Sequence, residues 1–178
     1  MKKDTFSSTI EQKILDFLSR NPHQSFYAAE IASRLLLSKG GANQALRKMA
    51  GEGLLETEQK GRMIFYKVDP KSALVKQFKI LKNVAALEPL VGEVKDLSQK
   101  AVLFGSCASG EDTQESDIDL FVVTEDKEKV KKMILSKGRF RDKVQLILKT
   151  PQEYMGFEKK EPVLFEEIAK GVVLWQKD

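Results

Sequence analysis

The sequence predicts two modules in one chain: a mainly helical module that ends in a β-hairpin, then an α/β module built on a small mixed sheet. Residues 1–70 show three stretches with helical apolar spacing followed by two short runs of strand type. Beyond residue 87, apolar runs of strand length alternate with helical segments, the pattern of a sheet flanked by helices. A length of 178 residues, 42% hydrophobic and 31% charged, suits one ordinary globular domain or two small ones.

The first helix is expected over residues 8–20, where Ile10, Ile14, Leu15, Phe17 and Leu18 share a face, with Ser8 as N-cap and Glu11 completing a capping box. Asn21-Pro22 stops it. A second helix is expected over Ala28 to Leu37, with Ala28, Ile31, Ala32 and Leu35 inward. Ser38 then caps a third, from Lys39 to about Gly51, whose apolar positions are Ala42, Leu46, Met49 and Ala50. Its other face carries Lys39, Asn43, Gln44, Arg47 and Lys48, beside Gly40 and Gly41 near the start. Strands are expected at Leu54 to Thr57 and Met63 to Val68, joined by a basic tip that includes Lys60 and Arg62.

Three helices followed by a basic-tipped hairpin resemble the winged helix-turn-helix family over residues 8–69. The resemblance implies a DNA-binding domain at residues 1–70, with the helix from Lys39 in the major groove and Lys60 and Arg62 on phosphate or in the minor groove. The side chains suit that use: Asn and Gln make paired hydrogen bonds to adenine, while Arg and Lys reach guanine edges and phosphates. A winged helix also serves as a protein-protein or dimerisation module, in which case Arg47 and Lys48 are a solvated face. Charge favours the DNA reading only weakly. Of the net +4, the first 70 residues hold 11 basic against 8 acidic residues, and the remainder is nearly balanced.

Residues 71–86 form an expected connector helix, with Leu74, Phe78, Leu81 and Ala85 in one amphipathic row, Pro70 before it and Pro89 interrupting it. Palindromic DNA sites favour two-fold dimers, so this row is a candidate homodimer seam.

In the second module, residues 87–178, the apolar run Ala101 to Phe104 ends in Gly105-Ser106, and a strand follows at Asp117 to Val123. Alternation along that strand puts Asp117 and Asp119 on one face, while Ile118, Leu120 and Val122 point into a core. Adjacent carboxylates repel and raise one another's proton affinity unless a cation lies between them, and magnesium is the hard ion that prefers such oxygens together with phosphate. A Gly-Ser turn at a strand end permits close backbone approach and offers a hydroxyl and an amide to a phosphate oxygen.

The stretch GSCASGEDTQESDIDLFVV resembles the nucleotidyltransferase superfamily in its minimal form, and KVQLILKTPQEY and FEEIAKGVVLW are similar to its later elements. The resemblance implies that Gly105 and Ser106 hold a triphosphate and that Asp117 and Asp119 ligate Mg2+ and would be catalytic in an active member. Active members commonly add a carboxylate on the next strand. Here that position is Gln145, which is neutral and takes no proton; Asp142, three residues away, falls on the other face.

One cysteine, Cys107, excludes an internal disulfide, and with one histidine, His23, no structural zinc site has the required spacing. Cys107 reads as a buried small residue, Trp175 as packing for a last strand and His23 as a loop residue. The N-terminus lacks an apolar leader and no apolar run spans a membrane, so a cytoplasmic protein is expected. Three functional readings follow: a DNA-binding transcriptional regulator with a degenerate nucleotide- or protein-binding domain, an active Mg2+-dependent nucleotidyltransferase acting on a protein or small molecule, and an antitoxin-like partner of another protein.

Overall fold

The computed structural model describes residues 9–136 and 143–177; Ser8 and Asp142 lie outside them. The chain divides into two compact units, Met1–Lys79 and Ile80–Asp178.

The first unit contains α1 (Ile10–Ser19), β1 (Phe26–Tyr27), α2 (Ala28–Arg34), α3 (Lys39–Gly51), β2 (Glu56–Lys60) and β3 (Met63–Lys67). The capping box of α1 is built one residue later than expected. Thr9 accepts from the Gln12 amide at 3.2 Å and the Gln12 side chain accepts from the Thr9 amide, so Gln12 takes the place assigned to Glu11. Helix α2 ends at Arg34, short of the expected Leu37, because Leu36 turns into the left-handed region at φ 53°. Helix α3 begins and ends where its sequence pattern placed it, with the Ser38 hydroxyl accepting from the Gly41 amide at 3.1 Å. A Cβ on Gly41 would come within 2.9 Å of Ile10 Cδ1, so this glycine lets α3 pack on α1.

Ile14, Leu18, Ile31, Leu46 and Met49 are almost fully buried in one core, each contributing about 1.5–3 kcal/mol of burial free energy. The first hairpin strand is displaced from Leu54–Thr57 towards the tip, while the second begins at the expected Met63 and ends one residue short of Val68. Lys60 pairs with Met63, leaving a two-residue turn in which Gly61 has φ 61° and Arg62 does not, the pattern of a type II′ turn. Strand β1, too short to leave a periodic signal, adds to β3 and makes a three-stranded sheet in the order β1-β3-β2.

Helix α4 (Ala73–Val94) runs past the expected end at 86 and through Pro89. The proline sits on the exposed side, and the burial of Leu87, Leu90, Val91 and Val94 offsets the helix penalty of about 3 kcal/mol. The predicted row is not the buried one: Leu74 and Leu81 are exposed, while Val75 and Leu87 are buried.

The second unit contains β4 (Ser98–Phe104), α5 (Gly105–Ser109), β5 (Ile118–Thr124), α6 (Lys127–Leu135), β6 (Val144–Lys149), α7 (Pro151–Met155), α8 (Phe157–Lys160), α9 (Pro162–Ala169) and β7 (Val172–Gln176). Its mixed sheet has the order β6-β5-β4-β7, with β5 antiparallel to β4 and parallel to β6. Alternation along β4 and β5 feeds two cores. Leu103, Leu120 and Val122 meet Leu87, Leu90, Val130 and Ile134 in one. In the other, Phe104, Phe121 and Val123 meet Phe157 and Ile168. Cys107 is buried, and the Trp175 indole on β7 donates to the Ser98 carbonyl at 3.3 Å.

Gly171 joins α9 to β7 where a Cβ would collide with the Leu103 carbonyl and approach Val102 Cγ1 to 2.8 Å. Gly171→Ala is therefore expected to destabilise the second unit by about 1–3 kcal/mol. Urea unfolding followed by the fluorescence of Trp175 measures this, and an unchanged midpoint would contradict the packing.

Candidate nucleic-acid interface and nucleotide site

The exposed face of α3 and the inner side of the hairpin enclose a cleft of about 310 Å³. Lys39, Asn43 and Arg47 line it from α3, and Arg62, Met63 and Ile64 from the hairpin turn and β3. Among the described residues, none forms an ion pair with Lys39, Arg47 or Arg62. Cations held close together without acidic partners attract an anion. The other predicted contacts are placed differently. Gln44 and Lys48 are exposed on α3 outside the cleft lining, and Lys48 faces Glu11 at 3.9 Å. Lys60 is paired with Glu58 at 3.0 Å and lies 5.1 Å over the Phe65 ring. Tyr27 of β1 also lines the cleft, a position that no sequence pattern indicated.

In the second unit, β4 ends at Phe104 opposite Asp119, and the chain turns at Gly105 with φ 64°. A Cβ on Gly105 would collide with the Asp119 carboxylate, so the turn and the acidic strand close on each other only with glycine here. Ser106 follows as the second residue of α5. Asp117 stands just before β5 and is exposed; Asp119 is half-buried. On the other side, Asp119 pairs in register with Gln145 of β6, whose amide donates to Asp117 Oδ2 at 2.8 Å.

Burial holds the Asp119 carboxyl above its ordinary range, and the negative charges of Glu167 and Asp117 push it the same way. Glu167 belongs to α9, which covers the Phe121 face of the sheet through Ile168. Its influence on the acidic pair was not legible in the sequence, because nothing in a helix 48 residues downstream reports its distance from β5. Among the described residues, no group of three or more His, Cys, Asp or Glu side chains forms a metal site.

Two family models match the chain. Residues 93–178 match "Polymerase beta, Nucleotidyltransferase", and residues 13–62 match "MarR family". The first unit is thus similar to the MarR family and the second to the nucleotidyltransferases, each over less than half of the chain. A crystal structure from Sulfolobus solfataricus, described as that of a candidate nucleotidyltransferase, is 21% identical over 57% of this chain and 87% of the other, with a TM-score of 0.37. No curated protein matches the sequence at a significant level. The nucleotidyltransferase match contains the Gly105 turn, both aspartates and Gln145, and the MarR match contains α3 and Arg62 of the wing turn. No helix among the described residues is long and apolar enough to cross a membrane.

The raised Asp119 carboxyl fixes a sign for stability. A carboxyl whose folded value lies above its unfolded one favours folding at low pH, and that contribution is lost as pH rises through the folded value. Asp119→Asn, which removes the charge at constant size, is expected to raise the melting temperature of the metal-free nucleotidyltransferase domain at pH 7. It should also flatten the pH dependence above the ordinary carboxylate range, as calorimetry at a series of pH values would show. A lower melting temperature at pH 7 would contradict the charge repulsion.

Proposed function

We propose that the chain is a cytoplasmic transcriptional regulator that binds double-stranded DNA through its MarR-type domain. Its nucleotidyltransferase domain binds a nucleoside triphosphate with magnesium and transfers the nucleoside monophosphate, with loss of pyrophosphate, at a negligible rate. The observation that carries the loss of transfer is the Gln145 amide hydrogen-bonded to Asp117 where a further carboxylate is expected.

In the DNA-binding half, α3 enters the major groove. Asn43 and Gln44 read base edges, Arg47 reads a base edge or holds phosphate, and Lys39 and Lys48 hold phosphate. Lys60 and Arg62 carry the wing onto the backbone. Leu74 and Leu81, exposed on α4, support a homodimer that presents two such helices to a two-fold site.

In the other half, the donor set fits magnesium. The carboxylates are hard oxygens, and the crowding of negative charge at Asp119 is what a cation relieves. Asp117 and Asp119 would hold the ion, which when bound neutralises and orients the triphosphate. Gly105 keeps the turn close to Asp119, and Ser106 offers its hydroxyl and amide to phosphate. Gln145 holds the Asp117 carboxylate in place but accepts no proton, so an acceptor hydroxyl is not activated there.

A second reading, an active nucleotidyltransferase that modifies a protein or small molecule, is favoured by one observation. Glu167 brings a further negative charge to bear on Asp119.

The DNA reading is tested by a salt series on a bound duplex. Arg47→Ala is expected to weaken binding by about 1–3 kcal/mol, whereas Lys60→Ala weakens all sequences alike and reduces the salt slope by about one unit. Affinity indifferent to salt and to both changes would mean that the domain meets something other than DNA. For the metal, Gln145→Asp is expected to tighten magnesium several-fold by titration calorimetry, since it adds a charge beside Asp117 and Asp119. Unchanged affinity would remove Gln145 from the site.

A further inference from the structure

Asn83 is a polar residue in the middle of α4, only 9% exposed. Its side-chain amide donates to the Cys107 carbonyl at 3.0 Å and to Asp112 Oδ1 at 3.2 Å. One acceptor lies within the Gly105–Ser109 segment that carries Ser106, and the other follows it. The Cys107 carbonyl belongs to the short helix α5, and Asp112 is a fully buried carboxylate in the loop leading to Asp117. The Cys107 thiol donates in turn to the Asp117 carbonyl at 3.3 Å. One amide on α4 is thus joined to the residue after Ser106 and, through one further bond, to the backbone of Asp117.

The helix that carries Asn83 is also part of the other domain. Val75, two turns earlier on α4, is buried in the same core as Val68, Leu46 and Met49 of the MarR-type domain, while Leu87 and Leu90 are buried in the nucleotidyltransferase core. A buried polar residue is costly unless its hydrogen bonds are made, so displacement of the Gly105–Ser109 segment acts on α4 through Asn83.

We infer that Asn83 is the positioning residue of the nucleotide site, and that through it occupancy of the Gly105-Ser106 turn alters the DNA affinity of the MarR-type domain. The inference rests on the proposed nucleotide binding at that turn and adds the route of its regulation. Asn83 touches no phosphate; it holds the carbonyl frame from which Ser106 and Asp117 are presented. The coupling is reciprocal, so DNA changes triphosphate affinity by the same factor.

The test uses the full chain, inorganic tripolyphosphate with magnesium as the probe, and a fluorescent duplex of mixed sequence. In the wild type, saturating tripolyphosphate is expected to shift DNA affinity about threefold or more. Asn83→Leu, of similar volume and unable to donate, is expected to bind tripolyphosphate about tenfold more weakly, to keep wild-type DNA affinity in its absence, and to lose the shift. Wild-type tripolyphosphate affinity with the shift retained would overturn the inference, as would a wild-type DNA affinity indifferent to tripolyphosphate. If Asn83→Leu fails to fold, the double variant Asn83→Asp with Asp112→Asn exchanges donor and acceptor between positions 83 and 112 but removes the Asn83 donation to the Cys107 carbonyl. Weakened tripolyphosphate binding at an unchanged melting temperature supports the inference, and unweakened binding overturns it. A wild type that binds no tripolyphosphate overturns the nucleotide reading and this inference together, whereas binding insensitive to both variants overturns this inference alone.

Discussion

Strand β5 is paired on both sides, antiparallel to β4 and parallel to β6, and every feature of the acidic candidate site descends from those two registers. Pairing with β4 sets Phe104 opposite Asp119 and so brings Gly105 onto the carboxylate, with no room for a Cβ. Pairing with β6 sets Gln145 opposite Asp119, within reach of Asp117. A slip of one residue in either ladder would turn the aspartates to the opposite face and put Leu120 and Phe121 in each other's cores. The two apolar cores therefore fix the geometry of the polar site. Asp119 lies at the end of the Phe121 row, under cover from α9, which is the reason its carboxyl is desolvated and Asp117 remains exposed.

The first unit shows the opposite arrangement. The exposed face of α3 is solvated, and among the described residues the cations that line the cleft, Lys39, Arg47 and Arg62, form no ion pair, while the Glu11 and Glu58 carboxylates meet Lys48 and Lys60 outside its lining. Exposed ion pairs of that kind contribute about 0–1 kcal/mol, so they yield readily to a phosphate. The unpaired cations give the cleft its sign, and the neighbouring Met63 and Ile64 give it an apolar floor.

Local signals carried much of this into the sequence. Helix α3 was legible to the residue because Ser38 caps it and its apolar row is unbroken, and the acidic strand was legible because alternation is obligatory in a sheet. The errors have physical causes. The cap of α1 fell on Thr9 because Gln12 completes the box as well as Glu11 would one residue earlier. Pro89 did not end α4, since burial on the helix's inner face outweighed the lost hydrogen bond. Tyr27, Asn83 and Glu167 were invisible because their significance lies in contacts between elements distant in the chain, which no local spacing encodes.

The Gln145 amide, standing beside Asp117 and Asp119 in place of a carboxylate, bears directly on whether a bound nucleotide is transferred. Incubation of the full chain with labelled nucleoside triphosphates and magnesium, with release of pyrophosphate and labelling of protein both followed, tests it most directly. Saturable binding, lost in Asp117→Asn, is expected, with turnover at background for the unaltered chain. Turnover by the unaltered chain that Asp117→Asn abolishes would contradict it and make the protein an enzyme whose base comes from a residue other than Gln145.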